Sequence, residues 1–520
     1  MQKHKNVLCF LFVLFLVAGL QAQEKRMSLT LEECITKAMR DNLNVAVEVL
    51  SPELADTSIS FAKERFLPSL TFGYNLQNTN SPSFSFIEAD ETITSDYFDY
   101  SARIEQIIPT GANFSITLSS YKTESNQKFL SVNPRFGSTL RFFFSQPLLR
   151  NFGFKINRRE IIIARNNRDM SESQFKTVLM DTVYDVESAY WNLVYSREDL
   201  EAKKQSLELA RDLLNKNKRE VEVGTLAPIE ILSAESEVAT READILQAEA
   251  LVKNNEDQLK TVINLVDEEE GVEMEILPVD KPNFILKEVS FEEALATALQ
   301  KRPDLQATKV DIKSREINLS YAKNQLLPDL SFNANYWSPG ISGTQLIYDP
   351  LDPFGDPIDT RPGGSAEALR DALDFKYKNW NVGLTLSIPL NTVFSRAQQA
   401  QARVDLEQTT LRLKNQEQQV ALEVKNAVRA VQKDYKRVQA YRIARELAEK
   451  TLEAEEKKLK VGLTTNYVVL QYQRDLANAR SAELRAIIDY NLSLAQLDRA
   501  MGTSLEKKNI KPSIYWGENN

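Results

Sequence analysis

The sequence predicts a mainly α-helical protein with membrane β-strands. It combines long antiparallel α-helical coiled-coil hairpins in a duplicated repeat with four to six transmembrane strands per protomer, which contribute to a barrel shared between copies. Three observations predict this fold class. Landmarks recur at an offset of 260 residues, as in Leu67-Pro68-Ser69 and Leu327-Pro328-Asp329. Residues 155–223 and 391–461 contain neither glycine nor proline. Short segments elsewhere alternate apolar and polar residues.

The first 22 of the 520 residues are predicted to be a secretory signal. Lys3 and Lys5 precede an apolar stretch that ends at Leu20-Gln21-Ala22, a plausible cleavage site. The later sequence has no apolar run of the length that a membrane-spanning helix needs. Membrane insertion is therefore expected to use β-strands.

The mature chain is predicted to consist of two repeats, a connector and a tail. In chain order, the prediction is repeat 1 at 23–266 (helix 31–66, strands within 69–147, long helix 155–223, returning helix 228–266), a connector at 267–288, repeat 2 at 289–502 (helix 291–326, strands within 329–390, long helix 392–461, returning helix 466–501) and a tail at 503–520. Both opening helices start with a Ser/Thr-x-x-Glu capping box, at Thr30 and at Ser290.

The strand segments follow a two-residue period. In residues 69–77 and 380–390 the apolar side chains alternate with polar ones, which is typical of strands with one apolar and one polar face. The first repeat carries an additional hairpin, Phe98–Ile108 and Phe114–Tyr121, so it offers four strands and the second repeat offers two. Trp337 and Trp380 flank a long loop and are predicted to form an aromatic belt at the bilayer surface. A water-soluble β-sandwich is the alternative for such alternation taken alone.

Four prolines mark the predicted changes from helix to strand or strand to helix. Pro68, Pro147, Pro328 and Pro389 each stand next to a strand segment. Proline interrupts helical hydrogen bonding, so these residues are predicted helix–strand junctions.

The long helices are predicted to fold back as hairpins. Their apolar positions recur at three- and four-residue steps, as at Val420, Val424 and Val428, and helices of this polarity need partners to be stable. Each long helix ends at a glycine, Gly224 or Gly462, which adopts a left-handed terminal conformation without steric cost. A generic long coiled coil is the alternative interpretation of these segments.

Composition argues against several functions. A formal net charge of −9 argues against nucleic acid as a partner. The only histidine, His4, lies in the signal, so the mature chain lacks the commonest general base and metal ligand. Cys34 corresponds to Ala294 in the second repeat, which indicates a small packed residue. We therefore predict no enzymatic activity and no catalytic, cofactor-binding or metal site. The segment that contains Asp349, Asp352, Asp356 and Asp359 is predicted to be an irregular exposed loop.

Single copies are predicted to be incomplete. Four to six strands cannot close a transmembrane barrel, for which about eight are the minimum. Open sheet edges in lipid leave backbone groups unpaired, so several copies must pool their strands.

With these features in the same order in both halves, the chain resembles the TolC-type outer-membrane efflux channels over nearly its whole mature length. The resemblance implies a homotrimer with a β-barrel in outer-membrane lipid, twelve strands in all, and a helical tunnel that crosses the periplasm. It also implies that the hairpin tips meet a periplasmic adaptor protein, which links the channel indirectly to an inner-membrane transporter. The tip residues to which the resemblance assigns docking are Gly224, Thr225, Gly462, Leu463 and Thr464.

Two departures from the family pattern stand out. The additional hairpin leaves two arrangements open: a barrel of eighteen strands per trimer, or a hairpin outside the barrel. Some relatives carry carboxylates around the closed entrance, but the matching positions here are Val468 and Gln471. The predicted periplasmic gate therefore consists of Glu230, Tyr467 and Gln471.

The predicted function is a passive outer-membrane duct of a tripartite efflux or secretion system in a Gram-negative bacterium. No Gly-x-x-x-x-Gly-Lys-Ser/Thr loop is present, so energy must come from a partner protein. The alternative is a non-channel periplasmic coiled-coil protein with a structural or interaction role.

Overall fold

The computed structural model describes residues 26–85, 88, 91–265, 274–351 and 355–512. The predicted signal lies outside the described residues, as do residues 267–273 of the connector and 513–520 of the tail. The chain divides into two compact units. One contains Met1–Glu53, Met170–Lys309 and Arg412–Asn520, and the other contains Leu54–Asp169 and Val310–Leu411.

Helices dominate the described part of the chain. In chain order they are Leu31–Asp41 (α1), Leu43–Glu48 (α2), Leu50–Glu64 (α3), Phe154–Asn157 (α4), Arg159–Glu222 (α5), Ile229–Val262 (α6), Phe291–Lys301 (α7), Pro303–Asn324 (α8), Ser365–Leu373 (α9), Val393–Lys460 (α10), Asn466–Ala500 (α11) and Ser504–Lys507 (α12). The fold class is confirmed: long helices are combined with one large antiparallel sheet. Of the described helices, none has the length and apolar character needed to cross a membrane.

The opening helix of each repeat is interrupted, whereas the sequence predicts one helix over 31–66 and one over 291–326. Asn42 separates α1 from α2, and its side-chain oxygen accepts hydrogen bonds from the backbone N–H groups of Asn44 and Val45. Arg302 separates α7 from α8 because it precedes Pro303, and a residue before proline is driven out of the helical region. A further break at Val49 separates α2 from α3.

Only the first opening helix carries the predicted capping box. The Thr30 hydroxyl oxygen accepts from the N–H of Glu33, and the Glu33 carboxylate accepts from the N–H of Thr30 at 2.8 Å. The Ser290 hydroxyl instead donates to the Glu292 carboxylate at 2.7 Å, and it makes no cap hydrogen bond to the helix backbone. The prediction of a second capping box at Ser290 is therefore wrong.

Apolar side chains from the helix stripes form the core of the first unit. One cluster surrounds Phe175, Leu179 and Tyr190 of α5, and a second surrounds Val424 and Val428 of α10. Burial of each such side chain contributes roughly 1.5–3 kcal/mol to the stability of the fold. The two-stranded parallel sheet of β1 (Arg26–Leu29) and β6 (Glu275–Pro278) lies beside the first cluster, in which Leu29 and Ile276 are buried.

The second unit contains an antiparallel sheet. Its strands are β2 (Ser69–Pro82), β3 (Thr92–Ile107), β4 (Asn113–Ser125), β5 (Val132–Pro147), β7 (Asp329–Ile347), β8 (Asp359–Arg361) and β9 (Asn379–Ser387). The six long strands are ordered β2-β3-β4-β5-β7-β9, and the short β8 pairs with the far end of β7. Helix α9 interrupts the second strand region and packs on β5 and β7, where Ala368 and Ala372 are fully buried.

Candidate functional site

The first hairpin tip is closed by a left-handed glycine. Gly224 has φ +77° and follows the end of α5. The backbone N–H of Thr225 donates to the Glu220 carbonyl at 2.9 Å, and the N–H of Gly224 donates to the Val221 carbonyl at 3.0 Å. This pair of bonds satisfies helix-end carbonyls in the manner of a Schellman motif. A Cβ atom at Gly224 would meet no atom within 4 Å, so the space beside this glycine is open.

The second hairpin tip has the same backbone geometry. Gly462 has φ +76°, and the N–H of Leu463 donates to the Lys458 carbonyl at 3.0 Å. Leu463 is 76% exposed and Val461 is 68% exposed, while Thr464 is half-buried. Each tip therefore presents apolar side chains to solvent on a turn whose path is fixed by hydrogen bonds.

The predicted gate residues lie just inside the tips. Tyr467 and Gln471 are exposed on the first turns of α11, and Glu230 is partly buried on the first turn of α6. The backbone carbonyl of Glu230, rather than its carboxylate, accepts from the Asn217 side chain at 3.4 Å. Asn217 also contacts Asn466, the first residue of the helix that carries Tyr467 and Gln471.

A buried pair of amides joins the two hairpins. The Asn466 side-chain nitrogen donates to the Asn217 side-chain oxygen at 2.6 Å, and both residues are almost fully buried. The side-chain oxygen of Asn466 has no hydrogen-bond partner among the described residues. Buried polar pairs on coiled-coil seams fix register at a cost in stability. This pair therefore sets how the first hairpin aligns with the second.

Arg241 adds a buried guanidinium that spans three helices. It is 4% exposed, and its Nη1 donates to the Ser206 carbonyl of α5 at 2.5 Å. Its Nη2 donates to the Leu470 carbonyl of α11 at 3.1 Å, and its Nε donates to the Glu237 carboxylate at 3.1 Å. Breaking a buried, hydrogen-bonded charge pair costs several kcal/mol. We call Asn217, Asn466 and Arg241 the hairpin clamp.

The hairpin clamp was not predicted from the sequence, although the sequence contains a signal for it. The stripe of α6 that faces the neighbouring helices runs through Ala234, Val238, Arg241, Ile245 and Ala248 at steps of four and three residues. A charged residue on such a stripe is unusual, because buried charges occur in partnered sites. Polar residues on an otherwise apolar helix stripe would have pointed to the clamp.

The four junction prolines lie at strand ends. Pro68 and Pro328 directly precede β2 and β7, Pro147 is the last residue of β5, and Pro389 follows β9 by two residues. The segments beside Pro147 and Pro328 contact each other through hydrogen bonds between the Asn324 side chain and the backbone. The Asn324 oxygen accepts from the N–H of Asn151 at 2.7 Å.

The sheet has an apolar face and a polar face. Ladder partners show that one row across the apolar face reads Leu70, Ile104, Ile116, Phe142, Tyr336 and Trp380. The neighbouring row on the polar face reads Thr71, Arg103, Thr117, Arg141, Trp337 and Asn379. Trp337 and Trp380 therefore lie on opposite faces, because adjacent ladder positions point to opposite sides of a sheet. The prediction that both form one belt does not hold for Trp337, and Trp380 remains a predicted belt residue.

In the part of the chain that the structure describes, no cluster of three or more His, Cys, Asp or Glu residues is arranged to hold a metal ion. Asp352 of the aspartate-rich loop lies outside the described residues. Burial raises the pKa of the Cys34 thiol to about 12, which removes its reactivity as a thiolate at neutral pH.

Comparison with known proteins adds a family match. The model of a family described as "Outer membrane efflux protein" matches residues 140–265 and 294–503. The first matched segment begins within β5 and covers the second half of the first repeat, and the second covers nearly all of the second repeat.

Two curated proteins are similar in sequence. The chain is 23% identical to Outer membrane protein TolC of Vibrio cholerae serotype O1 over 352 residues, which is 66% of this chain and 73% of that protein. It is 21% identical to Nodulation protein T of Rhizobium leguminosarum bv. trifolii over 420 residues, 79% of this chain and 83% of that protein.

Solved structures share the fold at lower identity. The CmeC outer membrane channel of Campylobacter jejuni superposes with a TM-score of 0.63 at 15% identity, over 91% of this chain and 86% of that chain. The open state of the MtrE outer membrane channel of Neisseria gonorrhoeae gives a TM-score of 0.59 at 17% identity, over 91% of this chain and 89% of that chain.

Proposed function

This chain belongs to the outer membrane efflux protein family, and on that premise we propose that it forms the passive outer-membrane duct of a tripartite efflux or secretion system. It is an outer-membrane protein with a helical periplasmic part. In the proposed system it exports substrates to the exterior, together with a periplasmic adaptor and an inner-membrane transporter. No catalytic step belongs to this role.

The two-faced sheet is the observation that carries the proposal. An apolar row that runs from Leu70 to Trp380 suits acyl chains, and a polar row that includes Arg103 and Arg141 suits a water-filled interior. One copy leaves β2 and β9 with a single ladder partner each. Because lipid cannot satisfy such edges, three copies that join edge to edge form the wall of the duct.

The hairpin tips are the proposed docking surface for the adaptor. Gly224 and Thr225 on the first hairpin, and Gly462, Leu463 and Thr464 on the second, form two turns of matching geometry. Exposed apolar side chains such as Leu463 and Val461 contribute binding energy when a partner covers them. The matching turns would let one adaptor motif engage both hairpins of each copy.

The duct opens, in this proposal, by a rearrangement of the hairpins. Glu230, Tyr467 and Gln471 lie next to the hairpin clamp, so a change in hairpin packing moves these gate residues. Buried polar contacts make such packing switch between discrete arrangements. Binding of the adaptor to the tips would then favour the open arrangement.

Conductance in a planar bilayer tests the duct. The purified mature protein, added to one side of the bilayer, is expected to give discrete conductance steps and to extract with outer membranes. A protein that extracts with soluble proteins and stays electrically silent, even with substitutions at the hairpin clamp, would support the alternative of a periplasmic coiled-coil spacer.

Site-specific photocrosslinking tests docking at the tips. A photoreactive amino acid at Leu463 is expected to capture the adaptor encoded with this chain's efflux system in intact cells. The matched control is Leu246 on α6, which is 68% exposed against 76% for Leu463 but lies about 25 Å along the helix from its start. Equal capture at both positions, or at Leu246 alone, would contradict docking at the tips.

A further inference from the structure

We propose that every copy contributes six strands to the barrel wall, so that a threefold assembly closes with eighteen strands rather than the twelve implied by the family resemblance. The inference rests on the proposed duct. It concerns the edge surfaces of the sheet and commits to one partner, a second copy of this chain.

The hydrogen-bonded ladder places the additional hairpin inside the sheet. Strand β2 pairs with β3 continuously from Ser69 opposite Glu105 to Pro82 opposite Thr92. Strand β4 pairs with β5 from Asn113 opposite Ser145 to Thr123 opposite Arg135. A hairpin outside the wall would leave β2 to pair with β5. Instead, β3 and β4 stand between these two strands throughout the paired region.

The apolar face continues across the additional hairpin. Ile104 and Ile116 stand between Leu70 and Phe142 in one row. The next row reads Phe72, Ala102, Leu118 and Leu140. A hairpin in water has no need for an apolar face in phase with its neighbours, whereas one in the lipid-facing wall requires it. On this face, β3 and β4 are therefore in the same environment as β2 and β5 beside them.

The opposite face of the hairpin carries charge. Arg103 and Glu105 form an ion pair at 3.0 Å, and Asp99 accepts from the Asn75 side chain at 3.1 Å. Charged residues are costly against lipid but suitable against a water-filled interior. The additional hairpin thus supplies ionic groups to the interior of the duct, and Arg103 lies in the same row as Arg141 of β5.

The two edges of the six-stranded sheet are suited to each other. Strands β2 and β9 run in opposite directions, and each begins or ends beside a junction proline, Pro68 or Pro389. Both carry exposed apolar residues on the same face of the sheet; Phe72 is 75% exposed and Leu384 is 67% exposed. The β9 edge of one copy can therefore pair with the β2 edge of the next while the apolar face stays continuous.

The strand number fixes the width of the duct in the membrane. At a strand spacing of about 4.8 Å and a tilt of about 40°, eighteen strands enclose a wall about 36 Å across, and twelve enclose one about 24 Å across. The additional hairpin therefore widens the membrane part of the duct by about half.

Electron cryomicroscopy of the trimer in lipid nanodiscs tests the strand number directly. We expect eighteen strands around the axis, with β3 and β4 between β2 and β5 of each copy. Twelve strands in the wall, with the hairpin outside it, would overturn the inference. Conductance recorded from the same preparation separates the two proposals: a conducting trimer with twelve strands contradicts only the strand number, and a silent one contradicts the duct.

Disulfide trapping provides a second measurement that does not depend on channel activity. In a Cys34→Ala background, the pair Thr71→Cys and Arg103→Cys faces across adjacent strands and is expected to oxidise readily. Thr71→Cys paired with Arg141→Cys is expected to stay reduced, because three strand spacings of about 14 Å separate the two positions. Cysteines at Thr139 and Phe143 serve as register controls. Efficient oxidation of Thr71→Cys with any of these three β5 positions would overturn the inference.

Discussion

At each hairpin tip a single glycine determines the path of the backbone. Gly462 has φ +76°, and the empty space around it means that only backbone strain opposes a larger side chain. For Gly462→Ala we expect the free energy of local opening at the tip to fall by about 1–2 kcal/mol. Hydrogen exchange at the Leu463 amide should then be roughly tenfold faster. Gly364→Ala is the control, since Gly364 is equally open but has an extended backbone with φ −133°. Unchanged exchange in Gly462→Ala would contradict a glycine requirement.

The opening helices provide a matched pair of substitutions at the residue scale. Thr30→Ala removes a formed capping box and should destabilise the protein by about 1 kcal/mol. Ser290→Ala at the equivalent position should have a smaller effect, because Ser290 makes no cap bond to the helix. Thermal unfolding of the detergent-solubilised protein measures both. Equal losses would mean that the two caps act alike.

The capping box also predicts a pH dependence. Hydrogen bonds from the Thr30 backbone N–H and hydroxyl lower the pKa of the Glu33 carboxyl. A carboxyl with a lowered folded-state pKa stabilises the fold above its unfolded pKa of about 4.3, and the contribution is lost as pH falls through the folded value. We therefore expect the stability difference between Glu33→Gln and the unsubstituted protein to shrink below about pH 4. A difference that is constant from neutral to acidic pH would contradict this role.

At the scale of elements, Arg302 holds together the second repeat. Its guanidinium donates to both carboxylate oxygens of Asp304, to Glu423 on α10 at 2.7 Å and to the Ala500 carbonyl on α11 at 3.2 Å. Burial alone would raise the pKa of Asp304, but the hydrogen bonds and charge of Arg302 lower it overall. One side chain thus connects the break between α7 and α8 to both helices of the second hairpin.

Removal of this side chain should loosen the second repeat. For Arg302→Ala we expect the free energy of unfolding to fall by about 2 kcal/mol, because two partly buried carboxylates lose their partner. Denaturant unfolding in detergent measures the loss. Arg315→Ala is the control, since it removes only a pair with Asp311 one turn away on the same helix, worth a few tenths of a kcal/mol. Equal effects of the two substitutions would contradict the connecting role of Arg302.

Element boundaries show what the sequence could and could not predict. The ends of the long helices followed from glycine, because positive φ is a position that glycine fills almost alone. Pro303 was a visible signal for the break in the second opening helix. Asn42 offered no comparable signal, since asparagine also occurs inside helices. The pairing of β5 with β7 joins segments nearly 200 residues apart in sequence, and packing rather than local preference sets it.

At the scale of the whole molecule, the hairpin clamp is the predicted brake on opening. Arg241→Ala removes bonds from α6 to α5 and α11, so we expect higher conductance or longer open times in a planar bilayer. Arg211→Ala is the matched control, because it breaks an exposed ion pair with Glu242 between the same two helices of the first hairpin. Identical conductance in Arg241→Ala and the unsubstituted protein would show that the clamp does not restrain opening.

Much of the candidate site followed from the sequence, and the remainder depended on three-dimensional packing. Gly224 and Gly462 were identified from their place after long helices without glycine or proline. The contacts of Asn217 and Arg241 with the second hairpin could not be predicted from the sequence, because no local rule states which hairpin packs on which. Trp337 was included in the aromatic belt because it flanks a loop, but one residue of register separates the lipid-compatible side of a strand from its opposite.

The interrupted opening helices show that one backbone path can be reached from two different local sequences. Asn42 and Arg302 occupy equivalent positions, 260 residues apart, yet an amide cap makes one bend and a following proline makes the other. Two different sequence features therefore produce the same interruption at equivalent positions of the two repeats.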